Sequence, residues 1–193
     1  MINKIYTDGN IQYQIKKEFL SKKPGHVVLK GFLDEGEYAK LREEIKNARR
    51  EHVRVADRYS YGVIESKQVN EIFQSKEFKQ FISKIINRDI KQISVMIREF
   101  AWRDYTLLHD AEDKKEEMRF FFFILPGGLE WDYFWGGSRV YHLERGKGKS
   151  LVFAPSENTL CVIHKRKDDL DFMQYINHYV GDKGVVVVEG TVE

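Results

Sequence analysis

Cysteine is almost missing from this chain. Cys161 stands alone among 193 residues, which excludes an intramolecular disulfide and any zinc site built on cysteine pairs. Its neighbours Leu160, Val162 and Ile163 point to a buried thiol in a strand, and a reducing compartment is the expectation. Proline is scarce too, at three residues, and no Pro/Ser-rich or low-complexity stretch divides the sequence, so a single domain over 1–193 is expected. Neither sign of charge dominates. Thirty-two basic against 30 acidic residues give a net charge of +2, which leaves bulk electrostatics with no case for specific DNA binding. The longest apolar run, Phe120 to Leu125, falls far short of the roughly 20 residues a membrane helix needs, and the polar N-terminal stretch lacks the apolar centre of a signal peptide. No membrane partner and a cytoplasmic location are therefore expected. Walker, dinucleotide-binding and nucleophile-elbow glycine patterns are also absent, so nucleotide hydrolysis and serine-type chemistry have no support.

Aromatic residues are abundant, at 13% of the chain, and favour a β-rich core. Val27 to Leu33 reads as an extended apolar segment, closed by Asp34 and Glu37 at capping-box spacing. A helix follows, with Tyr38, Leu41, Ile45 and Ala48 on one face. Glu51 to Tyr61 is polar and reads as irregular. Val69, Ile72 and Phe73, then Phe78, Phe81, Ile82, Ile85 and Ile86, mark two more amphipathic helices that separate near Ser75. From Ile90 the period changes from helical to alternating. Strands are expected over Gln92 to Phe100, Asp104 to His109, Met118 to Leu125, Arg139 to Leu143, Ser150 to Phe153, Thr159 to His164, Phe172 to Val180 and Val185 to Glu189. The run Val185 to Val188 fits a strand buried on both faces. Helices over about 1–90 followed by strands over about 91–193 predict an α+β domain, its three N-terminal helices packed on one face of a β-sandwich or jelly roll of about eight strands.

Several motifs occur in one order. Gly31-Phe32-Leu33 precedes the first amphipathic helix, and Asp104-Tyr105 leads to Leu108-His109-Asp110. Arg119 stands before Phe123-Ile124-Leu125, and Trp131-Asp132 before Trp135-Gly136-Gly137. Pro155-Ser156-Glu157-Asn158-Thr159-Leu160 and Phe172-Met173-Gln174-Tyr175 complete the series. In order and spacing these pieces resemble the 2-oxoglutarate/Fe(II) oxygenases of prolyl-hydroxylase type, particularly the branch that modifies ribosomal and other proteins. They are similar to that family's Gly-Asp-Tyr...His-x-Asp strand, second core strand, Trp...Gly-Gly corner, Pro-x-x-Asn-x-Leu turn and Phe-His-Gln-Val segment. The resemblance covers most of the chain and implies a double-stranded β-helix.

Carried over residue by residue, it implies a damaged iron site. A facial triad needs two imidazoles and one carboxylate on one side of the metal. His109 stands at the first ligand position, but Ala111 replaces the carboxylate and Met173 the second histidine, and a thioether is too soft a donor to suit Fe(II). Asp110, Glu112 or Asp113 would rescue the site if a bulge turned one of them onto the metal face. His178, five residues past Met173, faces the other way if the strand continues. The resemblance also implies a 2-oxoglutarate pocket around Lys183, Tyr105 and Asn158, with Lys183 as a point charge for the distal carboxylate. Without partners, His109 reads equally well as an inert polar residue, and Met173 as core filler. Trp131, Tyr133 and Trp135 either line a groove for a partner or cap the barrel. Arg145, Lys147 and Lys149, with Lys165 to Lys167, form either a solvated charge run or a basic rim for an RNA-rich partner.

The expectation is a non-catalytic module that binds a protein or ribonucleoprotein, with no firmly bound cofactor. The alternative is a dioxygenase that hydroxylates a protein side chain and uses Fe(II) and 2-oxoglutarate. A third reading, a jelly roll holding a small anion through Lys183, needs no metal.

Overall fold

Helical spacing followed by alternating spacing produces two layers in the computed structural model, which describes residues 1–107, 116–127, 129–146 and 149–193, except the side chains of 145 and 146. The helices are α1 (Gly9–Ser21), α2 (Glu35–Asn47), α3 (Lys67–Phe73) and α4 (Lys76–Ile86). Asp8, Asp34, Ser66 and Ser75 cap their N-termini by accepting from free backbone N–H groups of the first turn. Along α4, Phe78, Phe81, Ile82, Ile85 and Ile86 are buried, and the helix stops at Asn87 in the left-handed conformation, φ 56°.

The strands are β1 (His26–Lys30), β2 (Arg50–Val55), β3 (Tyr59–Ile64), β4 (Ile93–Phe100), β5 (Tyr105–Thr106), β6 (Glu117–Ile124), β7 (Arg139–His142), β8 (Ser150–Phe153), β9 (Thr159–Lys165), β10 (Leu170–Met173) and β11 (Val185–Val192). A large antiparallel sheet runs β1-β9-β6-β11-β4-β3-β2, with β5 paired to β3, and a second sheet runs β10-β7-β8. This is the α+β jelly roll expected from the pattern. The phenylalanine run of β6 shows how alternation builds it: Phe120 and Phe122 join the helices in one core, and Phe121 and Phe123 turn inward between the sheets. Val186 and Val188 of β11 likewise join the helix-side core, and Val185 and Val187 the inner one. The Val185–Val188 run is buried on both faces, as its continuity predicts.

Three segments differ from the sequence reading. There are four helices, not three, among the described residues. The extra one, α1, buries Ile15 and Phe19 and is otherwise polar enough to hide its period. Glu51 to Tyr61 is not irregular: β2 and β3 form a hairpin turning at Asp57, φ 60°. Because β2 is an edge strand exposed along most of its length, its side chains carry no alternation to read. The N-terminal part thus supplies β1, β2 and β3 as well as helices. Finally, the strand expected from Phe172 to Val180 ends at Met173, and a 3-10 turn, His178–Val180, follows under an Asn177 cap. The alternation argument for His178 therefore does not apply, and its ring lies 4.1 Å from that of Tyr179.

Asn158 ties the turn before β9 to the segment after β1. Its Oδ1 accepts from the Leu33 N–H at 2.9 Å, its Nδ2 donates to the Leu33 carbonyl at 2.8 Å, and its φ is 49°. Two buried hydrogen bonds and a left-handed backbone that asparagine tolerates depend on this residue. Asn158→Ala is expected to lower stability by about 2–3 kcal/mol, read from the urea midpoint at unchanged slope.

Burial raises the Tyr38 hydroxyl to about 12, and the Leu125 N–H donates to its oxygen at 3.3 Å. The folded value lies above the unfolded one, so this contribution is complete below about pH 10 and is lost as pH rises towards 12. Urea midpoints at pH 9 and pH 11.5 should fall for the native chain, and fall less for Tyr38→Phe.

Candidate functional site

The inner face of the large sheet changes character along its strands. At one end Phe100, Phe121, Phe123, Val185 and Val187 pack with Tyr141, Phe153 and Met173 from the facing sheet. At the other end the same alternation brings charged residues inward. Arg98 on β4 donates from Nη1 to Glu189 Oε2 at 2.8 Å, and Glu189 on β11 accepts at Oε1 from Arg139 Nη1 at 3.2 Å. Arg139 on β7 donates from Nη2 to Asp171 on β10, whose other oxygen accepts from Arg119 Nη1 at 3.1 Å. Arg119 on β6 completes the chain with Glu117. Three guanidiniums and three carboxylates therefore alternate across five strands and join the two sheets.

The Arg139 side chain is 7% exposed. Burial alone would lower its affinity for the proton, but the Glu189 and Asp171 carboxylates and Tyr141 reverse that and raise it. Arg119 behaves alike: burial pulls it down, and Asp171, Tyr141 and Glu117 bring it above its ordinary value. Burial, reinforced by Asp171, pushes the Tyr141 hydroxyl up, so it stays neutral. Above the chain lies a cavity of about 820 Å³, lined by Arg98, Arg119, Arg139, Lys165, Asp171 and Glu189 among others.

Asp104, from the Asp-Tyr motif, is buried and fully engaged. Its Oδ1 accepts from Ser60 Oγ at 2.6 Å and meets His52 Nε2 at 3.1 Å, and its Oδ2 accepts from the Ala101 N–H at 3.0 Å. It fixes the turn between β4 and β5.

His109, Asp110, Ala111, Glu112, Asp113 and Lys147 lie outside the described residues, as does the side chain of Arg145. Met173 is 0% exposed within the inner apolar cluster, in register with Arg139, and its N–H donates to Thr106 Oγ1 at 2.7 Å. Lys183, Tyr105 and Asn158 each have neighbours of their own. The Lys183 ammonium sits 4.8 Å over the Trp135 ring and does not line the cavity, the Tyr105 ring lies 6.3 Å from that of Tyr175, and both amide atoms of Asn158 hold Leu33. Trp131 and Trp135 pack on the inner core edge to face at 5.3 Å, with Trp131 Nε1 donating to the Gly136 carbonyl at 2.9 Å. Tyr133, between them in sequence, is 59% exposed. In the basic run, Lys165 is buried, and Arg166 is bound by Asp169 and Glu144.

Tested against the implied iron site, the described residues do not fit. Met173 offers a thioether within apolar packing, and no three His, Cys, Asp or Glu side chains among the described residues gather as a metal site. The ion-pair chain escaped the sequence reading. Its signal was there: Arg98, Arg119 and Glu189 each place a charge beside apolar residues at an inward-facing position of a strand.

The chain matches no protein-family model. Over 82 residues, 42% of this chain, it is 24% identical to prolyl 3-hydroxylase OGFOD1 of Xenopus laevis and 28% identical to that of Mus musculus. Those matches span 16% and 15% of the two relatives. Among solved structures it is similar to a Trichoplax adhaerens prolyl hydroxylase in complex with a hypoxia-inducible-factor oxygen degradation domain peptide, with TM-score 0.69, 10% identity, and 97% of this chain and 94% of that chain covered. A Pseudomonas putida prolyl-4-hydroxylase gives TM-score 0.69 at 12% identity, covering 93% of this chain and 98% of that one. A 2-oxoglutarate/Fe(II) oxygenase from Burkholderia pseudomallei gives 0.68 at 15%, covering 94% and 90%. The fold of this chain is thus that of prolyl hydroxylases and related 2-oxoglutarate/Fe(II) oxygenases.

Removing Asp171 takes one of two acids from each of Arg119 and Arg139 and leaves the buried chain one positive charge in excess. Asp171→Asn is expected to cost about 3–5 kcal/mol, seen as a lowered urea midpoint, whereas Asp182→Asn, at an exposed position, changes it by roughly 0.5 kcal/mol or less.

Proposed function

We propose that this chain uses the prolyl-hydroxylase fold without its iron chemistry and acts as a binding module for a protein or ribonucleoprotein partner. The observation that supports this most is Met173, fully buried in apolar packing at the position where the resemblance implies the second histidine. An interior crossed by ion pairs agrees with it, since Arg139 holds the neighbouring register position.

The partner surface we favour is the corner at Tyr133–Trp135. Trp131 and Trp135 anchor it to the core, and Tyr133 and Phe134 project at 59% and 80% exposure. Asn177 holds this corner to the turn at His178–Val180 by donating from its N–H to the Trp135 carbonyl at 3.0 Å. Exposed aromatics on a rigid base suit protein recognition. The Trichoplax neighbour binds a peptide, which agrees with a protein partner here. The inward Lys165 and the ion-paired Arg166 weaken the basic rim that an RNA partner would need.

Purified protein given Fe(II) anaerobically should retain substoichiometric metal and release no succinate from 2-oxoglutarate. Stoichiometric iron, or succinate formed over many turnovers, would overturn this reading in favour of a dioxygenase using His109 and one of Asp110, Glu112 and Asp113.

A further inference from the structure

The two edges of the large sheet are finished differently. On β2, Arg50, Glu51, His52 and Arg54 stand exposed, and such a row of charge discourages another strand from pairing there. β1, at the opposite edge, carries Val28 at its centre, 45% exposed, between His26 and Lys30. The register fixes which way its backbone points. The His164 N–H donates to the Gly25 carbonyl at 2.8 Å, so Gly25, Val27 and Leu29 turn their N–H and C=O groups to β9. His26, Val28 and Lys30 turn theirs to the free side, where the Lys30 carbonyl accepts from the Tyr6 hydroxyl. Apart from β9, no described segment makes a hydrogen bond to the Val28 backbone.

The space in front of this edge is largely apolar. Val27 and Leu29 join the helix-side core, so Val28 and Lys30 face the other way, into a groove of about 640 Å³. Val152 of β8, itself an edge strand, is 47% exposed on the same groove, and Leu129, Trp131 and Pro155 add to its wall. Glu130 and Glu157 line it too, the second bound by Arg42 at 2.9 Å, and neither forms an ion pair with Lys30. Trp131 also anchors the aromatic corner, so groove and corner make one continuous face. The chain already lays an extended segment along this edge once. Past Lys30, Ile2 bridges Leu33 and the Asn3 N–H donates to the Phe32 carbonyl at 2.8 Å.

We propose that the free edge of β1 takes up an extended segment of a protein partner as an added strand, with an acidic residue opposite Lys30 and an apolar one opposite Val28. Main-chain bonds to Val28 supply the pairing, and the groove selects alternate side chains. A second copy of the chain fits badly, because an antiparallel pair centred on Val28 sets Lys30 of each chain against His26 of the other. The site rests on the reading of this chain as a protein-binding module and specifies the form of the partner. Working in EDTA separates the two: failure here leaves the iron and succinate result untouched, and the reverse also holds.

The probe is the heptapeptide Thr-Glu-Thr-Val-Thr-Val-Thr, labelled with fluorescein and titrated with the full chain in EDTA by anisotropy. Binding should saturate, and the same peptide with proline for its central valine should bind at least about tenfold more weakly, since proline has no N–H for the Val28 carbonyl. Val28→Pro should weaken binding to a similar degree yet melt within a few degrees of the native chain, because the N–H it removes takes no part in the ladder with β9. If that variant does not fold, Val28→Lys keeps the backbone intact and should show the same loss. Lys30→Glu should lose affinity for this peptide and regain it for the version with lysine in place of glutamate. Val55→Lys, on the opposite edge, should bind as the native chain does. In the free chain the Val28 amide should exchange fast beside a protected Val27 amide, and bound peptide should slow it at least about tenfold. No saturable binding, binding undiminished by the Val28 variants, or a Val28 amide as protected as Val27 in the free chain would overturn the proposal. A dimer that Val28→Pro dissolves would give the edge to a second copy and overturn it as well.

Discussion

A guanidinium cannot shed its proton inside a protein, so placing Arg139 on the inner face of the smaller sheet obliges the opposite wall to supply acids. Glu189 answers from β11 and Asp171 from the adjacent β10, and each acid then binds a second arginine, Arg98 or Arg119. Much of the interior follows from this requirement. The chain links β4, β11 and β6 of the large sheet to β7 and β10 of the small one, and so holds the two walls at a fixed separation. Beyond it, the space between the sheets is filled by aromatic and aliphatic side chains, Met173 among them. What remains open lies on the other side of the ion pairs, where Lys165 stands.

A TM-score of 0.69 at 10% identity has a plain physical reading. The fold needs alternation, turns and helix caps, which many residue choices satisfy, whereas a metal centre needs particular donors at particular points. In this chain the first requirement is met along nearly every element. The second is not met by the described residues, and the charges that cross the interior neutralise one another. The proposed partner surface is the aromatic corner, where the chain leaves large rings exposed.

The parts of the fold that were legible are those whose period is strong. Strands β6 and β11 have both faces committed to packing, β4 sets Ile93, Val95 and Ile97 towards the helices, and α4 carries an apolar face along its whole length. Strand β2 was illegible because an exposed edge constrains neither face, and α1 because two buried residues in a polar helix set no visible period. The overlong strand after Phe172 has a different cause. Tyr175, Ile176 and Tyr179 resemble strand residues by type, but the backbone there is taken up by contacts with Asp104 and Trp135. The site was less legible still. Lys183 lies at the distance along the chain that the resemblance implies, yet its ammonium rests on Trp135. The ion-pair chain draws single residues from six positions spread over Arg98 to Glu189, and only the register of the strands shows that they meet.

The claim that this buried chain organises the interior is tested most directly by a double-mutant cycle on Arg139 and Glu189. Urea unfolding of Arg139→Met, Glu189→Met and the double variant would give the coupling between them. Each single change leaves the buried chain one charge out of balance, and should cost about 3–5 kcal/mol. The double variant should cost far less than the sum, for a coupling above roughly 2 kcal/mol. Losses that add to within about 0.5 kcal/mol would show that the two residues act independently, and would contradict the account.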